Sequence, residues 1–289
     1  MDPVVARKTW RTLEPIHGMI YFAPEAEEEY VALGLDAGQM GYFASRAAPM
    51  GAVPAEVVIA TFFNFRPGVV RAVIPEAWSR AAPEAITEAR ARAADRALRR
   101  ALGDAVGSDD VVEAAGLARR AALAACAHPE GRPLFAAHTS LPWPDDPHVA
   151  LWHAQTLLRE FRGDAHVNVL QSEGLGALDA LVTHAATGEL PAEALRLTRG
   201  WSPGEWAAAV DSLRSRDLLE PADPLAPSEA GRELRERVER RTDAAARPAY
   251  EALGEEACTR LRALGRAVSR AVIDAGLLSP PGGGVWGGR

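Results

Sequence analysis

Residues 202–243 read SPGEWAAAVDSLRSRDLLEPADPLAPSEAGRELRERVERRTD. Ser202, with Pro203 one place on and Glu205 three places on, has the pattern of a capping box. Hydroxyl and carboxylate each accept a backbone N–H that a helix start leaves unpaired. Trp206, Val210 and Leu213 then recur every three or four residues and draw one apolar face along a helix. Residues 218–227 (LLEPADPLAP) set apolar side chains around a Pro/Asp turn, which predicts a small hairpin. Ser228 opens a second, longer helix rich in Arg and Glu.

The same punctuation extends outward. Residues 148–161 (HVALWHAQTLLREF) read as a helix stopped by Arg162-Gly163-Asp164. Residues 177–187 read as a second helix closed by Gly188, and 191–199 as a third stopped by Gly200. A last helix covers 255–276. Alanine and leucine dominate between the prolines and glycines, and the clearest strand-forming run is 57–63 (VVIATFF). The expected class is all-α with one small wing hairpin.

Helix, helix-turn-helix, hairpin and two long helices is an order that resembles MarR-type winged-helix proteins. The run LLEPADPLAPSEAGRELRERVE resembles their wing and the helix after it, and the resemblance covers the chain from about residue 147 onward. The whole chain also resembles an actinobacterial family with a C-terminal helix-turn-helix. The residues that carry this are Glu14-Pro15-x-His17, Tyr42-Phe43-Ala44-x-Arg46-Ala47-Ala48-Pro49 and Thr61-Phe62-Phe63-Asn64-Phe65. Further on they are Leu151-Trp152-His153-Ala154, Arg162-Gly163-Asp164-x-His166 and Thr198-Arg199-Gly200-Trp201-Ser202. These resemblances imply a fold and carry no activity.

The halves lie over one another at an offset of 136 to 137. Pro54-Ala55-Glu56 falls on Pro191-Ala192-Glu193, Thr61 on Thr198, and Pro67-Gly68 on Pro203-Gly204. His17 falls on His153. A later match, Glu113-Ala114-Ala115-Gly116 with Glu229-Ala230-Gly231, leaves residues 81–100 as extra length in the first half. Two tandem, degenerate winged-helix-like halves, 1–140 and 141–278, are expected to form a pseudo-dimer within one chain, followed by a loose Pro/Gly tail at 279–289. One chain that supplies both halves predicts a monomer or weak homodimer.

The 289 residues carry a net charge of -7, which opposes broad attraction to phosphate backbones. Nearest the expected recognition helix, residues 199–243 hold arginines but no lysine, and more acids than bases. Nucleic-acid binding is therefore disfavoured without being excluded. Cys126 and Cys258 stand alone and read as small core residues. The start MDPVVARKTWRT has no signal-peptide core and no apolar run reaches membrane length, so a cytoplasmic protein without membrane contact is expected.

Chemistry has few candidate carriers. His17 and His153, at equivalent places in the halves, are expected to face one central cavity, with His166 beside Asp164. These four are the acid–base candidates. Arg162 suits a carboxylate or phosphate, and Arg199 beside Trp201 suits an aromatic or acidic ligand. Glu14, Asn64 and His138 complete the expected ligand contacts. Glu14 and His17 have the E-x-x-H spacing of a metal ligand pair, but Pro15 interrupts it and no second copy exists, so no metal is assigned. No nucleotide-binding glycine motif or nucleophile elbow occurs, and the cofactor is unknown. The expected function is enclosure of a small, partly apolar organic molecule between the halves, by a binding protein or an enzyme without nucleotide cofactor. The alternative is a ligand-responsive MarR-like regulator of transcription.

Overall fold

The computed structural model describes residues 1–278; the segment expected as a tail, 279–289, lies outside the described residues. The first half holds nine helices among the described residues. They are α1 (Pro3–Gly18), α2 (Pro24–Ala32), α3 (Gln39–Ala47), α4 (Ala55–Phe62), α5 (Pro67–Arg71), α6 (Ile74–Arg80), α7 (Pro83–Leu102), α8 (Asp109–Ala125) and α9 (Pro133–Thr139). The second holds α10 (Pro147–Ser172), α11 (Ala177–Ala185), α12 (Ala192–Thr198), α13 (Pro203–Ser215), α14 (Glu229–Glu251) and α15 (Glu255–Asp274). The described residues are all-helical.

Local chemistry places most helix starts. Proline opens α1, α2, α5, α7, α9, α10 and α13, where its missing N–H is one of those a helix start leaves unpaired anyway. The capping box of α13 forms as expected: the Glu205 N–H donates to the Ser202 hydroxyl at 3.2 Å, and the Ser202 N–H to the Glu205 carboxylate at 2.9 Å. Ser228 caps α14 by accepting the Gly231 N–H at 3.0 Å. Between α13 and α14 there is no strand, only one antiparallel bridge between Leu219 and Pro227, with the Glu220 N–H donating to the Ala226 carbonyl at 2.9 Å.

Two expectations are corrected. The apolar run 57–63 is helical through Phe62. Its prolines and turns at either end leave room for two turns of helix, and Val58 and Phe62 reach the core from one face. Arg162-Gly163-Asp164 does not stop a helix: α10 runs through it for 26 residues. A glycine inside a helix costs about 1 kcal/mol against alanine, and the burial of the apolar Phe161 and Ala165 on either side outweighs it. Residues 81–100, expected as extra length in the first half, lie almost wholly within α7.

Helix α10 is the central strut, packed against α8, α14, α1, α9 and α7. The main core gathers Leu13 and Ile16 of α1, Ala93 and Ala97 of α7, Ala118 and Ala121 of α8, Leu157 and Phe161 of α10, and Leu261 of α15. Alanine at these crossings lets helix axes approach closely. A second core joins Phe43, Phe62, Phe65, Val70 and Ile74; a third joins Val169, Val182, Leu213, Leu219 and Leu234 beneath α11 and α13. No helix among the described residues is long and apolar enough to cross a membrane.

Candidate ligand cavity

A cavity of about 660 Å³ lies between α1, α3 and the end of α4 on one side and α10, α11, α14 and the end of α12 on the other. That volume suits a small organic molecule. Aromatic side chains form much of the wall. Phe43 stands 4.8 Å from Phe65 and 6.0 Å from Phe62 between ring centroids, and Tyr42 5.6 Å from Phe65. Trp10, Tyr21, Phe22 and Phe63 also line it.

One end of the cavity is strongly charged. Glu160 of α10 is 2% exposed, so its carboxylate needs partners inside the protein. Arg159 donates to it at 2.7 Å and Arg46 of α3 stands at 3.5 Å. Burial pushes the Glu160 carboxyl up, but Arg159 and then Arg46 outweigh it and hold it well below the carboxylate range. The Arg46 guanidinium lies 4.2 Å over the Phe62 ring and donates to the Tyr42 hydroxyl at 2.8 Å. Arg199 lies 5.0 Å over Phe65 and donates to the Thr198 hydroxyl at 2.8 Å. Burial raises the Tyr42 phenol, yet Arg46, Arg199 and Arg159 together bring it below its ordinary value.

The other end is neutralised internally. Arg162 lies 4.7 Å over Trp10 and donates to Asp243 at 2.8 Å and Glu239 at 3.0 Å, while Arg7 donates to the same Asp243 at 2.7 Å. Asp164 accepts the Phe135 backbone N–H at 2.9 Å, and burial pushes its carboxyl up to about 6. The Thr242 hydroxyl gives its one hydrogen to the Val238 carbonyl at 2.8 Å, so the hydrogen between it and His166, at 3.0 Å, sits on Nδ1. Burial, then Arg162, lowers His166 to about 4. Nε2 of this neutral ring is thus a hydrogen-bond acceptor.

Six of the residues singled out from sequence line the cavity: Glu14, Asn64, Arg162, Asp164, His166 and Arg199. Four stand elsewhere. His17 is one side chain behind the wall. Thr156 donates to the Trp152 carbonyl at 3.0 Å, so His17 Nδ1 donates to Thr156 at 3.0 Å, and its Nε2 accepts from the cavity-lining Tyr21 at 2.7 Å. Burial lowers His17 well below its ordinary value. His153 packs edge-on against Trp143 at 4.8 Å, and His138 pairs with the Leu134 carbonyl at 2.8 Å. Trp201 packs with Leu181, Leu195 and Trp206, and its N–H donates to the Asn64 carbonyl at 3.0 Å. The aromatic partner of Arg199 is therefore Phe65. Asp164 orients no histidine, because the Phe135 backbone amide claims its carboxylate. Among the described residues no three His, Cys, Asp or Glu side chains are placed to hold a metal ion; Glu14 accepts the Trp10 indole N–H at 2.7 Å.

Arg46, Glu160, Arg159, Tyr21 and Tyr42 carry much of the site and were not among the expected residues. A signal existed for Glu160: with Leu157, Phe161 and Asp164 it falls on the buried face of α10, where an acid has no reason to be without a partner. For Arg46 the signal was its place between Phe43, Ala44 and Ala47, all buried.

The two halves meet below the cavity at their turns. Arg66 N–H donates to the Arg199 carbonyl at 2.9 Å, and the Arg66 side chain to Glu205 at 2.9 Å. Helices α12 and α13 are joined by residues 199–202 with Gly200 at φ 76°, the form of a helix-turn-helix. A family model described as a helix-turn-helix family matches residues 6–279. The chain belongs to this helix-turn-helix family. No curated protein and no solved structure matches it. The family match spans both halves, so the cavity between them lies within the helix-turn-helix family region. On α13, the second helix of the pair, and at the residue that caps its end, Pro203, Gly204, Ala207, Ala208, Asp211, Ser212, Ser215 and Arg216 are exposed. The arginine among them is paired with Asp179 at 3.0 Å.

Proposed function

We propose that this helix-turn-helix protein encloses a small, partly apolar organic molecule between its two halves. The observation that carries the reading is the 660 Å³ cavity, walled by aromatic rings and by charges contributed from both halves. Arg162, Asp164, His166, Glu14, Asn64 and Arg199 supply polar contacts. His17 acts through Tyr21 as the acceptor behind the wall, and His166 Nε2 is the acceptor inside it, so acid–base chemistry on the bound molecule has two places to start. The test is native mass spectrometry of the protein as purified. A co-purifying molecule that is lost on Phe65→Ala or His166→Ala supports the reading. A bare protein whose melting temperature no member of an organic-acid and aromatic compound library raises overturns it.

Family membership favours a second reading over an enzyme that never meets DNA: the bound molecule controls DNA binding, as in a MarR-like regulator. The order of elements supports the winged-helix pseudo-dimer that this requires. Helices α3, α4 and α5 recur as α11, α12 and α13 with starts 138, 137 and 136 residues later, and α7 and α8 recur as α14 and α15 with starts 146 later. In this register the extra residues fall in the second half, at the Leu219–Pro227 bridge, where a wing belongs. Against it stand the exposed face of α13, with one arginine already paired, and the acids Glu220 and Asp223 on the bridge segment. Fluorescence anisotropy with a random-sequence duplex pool, followed by selection, decides. An enriched sequence whose binding falls with salt and with ligand establishes the regulator; no enrichment at low salt removes it.

A further inference from the structure

We propose that the occupant of this cavity is an aromatic ketone, and that Tyr42 binds and polarises its carbonyl oxygen by giving it the phenol hydrogen. This rests on the reading of the cavity as a ligand site and names the chemistry of the ligand. The first argument is elimination. Among the described residues the cavity is lined by five hydroxyl or indole groups, those of Trp10, Tyr21, Tyr42, Thr61 and Thr198. Four of them give their hydrogen to the protein. Trp10 donates to Glu14, Tyr21 to His17, Thr61 to the Val57 carbonyl and Thr198 to the Ala194 carbonyl, each at 2.7 Å. Tyr42 is the exception. Its oxygen accepts from Arg46 at 2.8 Å, and a guanidinium has no atom that accepts in return. Among the described residues no acceptor takes the Tyr42 hydrogen. A hydroxyl that keeps its hydrogen on a wall of otherwise committed donors selects an acceptor in the occupant.

The same contact fixes the phenol and strengthens it as a donor. Arg46 is itself held, by Glu160 at 3.5 Å and over the Phe62 ring at 4.2 Å. The Tyr42 ring packs against Tyr21, Phe43 and Phe65, at 5.4, 5.3 and 5.6 Å between centroids. The oxygen is therefore in place before a ligand arrives. Burial raises the phenols of Tyr30 and Tyr250, whereas at Tyr42 the guanidiniums outweigh burial and make the phenol more acidic than usual. A more acidic donor better stabilises the negative charge that gathers on a polarised carbonyl oxygen. A carbonyl suits this place because it accepts a hydrogen bond and carries no net charge, so it asks nothing of Arg46 and Arg159, which already pair with Glu160. Tyr42 and Phe43 meet Phe65 at tilted angles of 50° and 76°, a wall that the ring of an aromatic ketone joins edge-to-face or offset.

The test titrates 2-acetylnaphthalene, labelled with carbon-13 at its carbonyl, into the full chain beside 2-isopropenylnaphthalene, in which a methylene replaces the oxygen. Tryptophan fluorescence reads binding, since Trp10 lines the cavity, and nuclear magnetic resonance reads the carbonyl. The bound carbonyl resonance is expected downfield of its position in an apolar solvent. Tyr42→Phe is expected to return it to that position and to weaken the ketone about three- to tenfold relative to the alkene, the worth of one hydrogen bond. A resonance at the apolar-solvent position in the unaltered chain, or a downfield one that Tyr42→Phe leaves in place, overturns the assignment of Tyr42, and the cavity reading stands. If neither compound binds up to millimolar concentration, both fall. Should Tyr42→Phe not fold, biosynthetic replacement of tyrosine by the more acidic 3-fluorotyrosine decides: the resonance moves further downfield, and one that stays in place overturns the assignment.

Discussion

Tyr21 gives its hydroxyl hydrogen to Nε2 of His17 at 2.7 Å, and the ring's other nitrogen is committed to Thr156 at 3.0 Å. In this direction the contact requires a neutral His17. Burial lowers His17, and likewise lowers His138, His153 and His166 to about 4.

Stability is therefore expected to fall with acid. Unfolded histidines take protons near pH 6.5, and these folded ones refuse them until about pH 4 or below. Between those values the unfolded state binds more protons, so stability drops as the pH falls, on the order of 1 kcal/mol per unit for each histidine. Asp164 works the other way: raised to about 6, it takes its proton first in the folded state and offsets one histidine between pH 6 and about 4. Thermal melts at pH 7.5, 6 and 5 should show a progressive fall of several degrees. A melting temperature that holds constant to pH 5 would rule the account out.

Glu160→Gln should destabilise strongly. It leaves Arg46 and Arg159 beside a neutral amide in a buried place, and breaking such a pair from one side costs about 3 kcal/mol. Urea titration reads this as a lower midpoint at unchanged slope. An unshifted midpoint would show that the pair contributes nothing.

Gly200→Ala tests the turn where the halves meet. Gly200 has φ 76°, and a methyl group there points into the side chain of Val69. The strain and the overlap together should cost about 1–3 kcal/mol. Val69→Ala in the same chain should recover the overlap but not the backbone strain, so a double-mutant cycle shows partial coupling. Full additivity would mean that the two residues do not meet.

Ser202→Ala removes one half of the α13 capping box and should cost about 1 kcal/mol. Arg66→Ala, which removes an exposed ion pair to Glu205, should cost less than that. Chemical denaturation of the two variants side by side checks the order, and a reversal would move the importance of Glu205 from the cap to the ion pair.

From the sequence by itself came the starts of the helices of the second half, nearly to the residue. Ser202, Pro203, Glu205 and Ser228 act on backbone groups within four positions of themselves, and such effects are written locally. Arg162 and His166 reach one cavity because four residues make about one turn of α10, a helix that the sequence reading ends at 162–164. The tertiary structure alone decided that Gly163 continues a helix, since the opposing term is burial by distant helices. It also decided that Arg199 faces Phe65 rather than its neighbour Trp201, and that His17 stands behind Tyr21 rather than in the open cavity. Above all it brought Arg46, Arg159 and Arg199 from three separate helical segments to one point. Helical periodicity marks a charge as buried or exposed, but the partner that makes a buried charge tolerable comes from elsewhere in the chain.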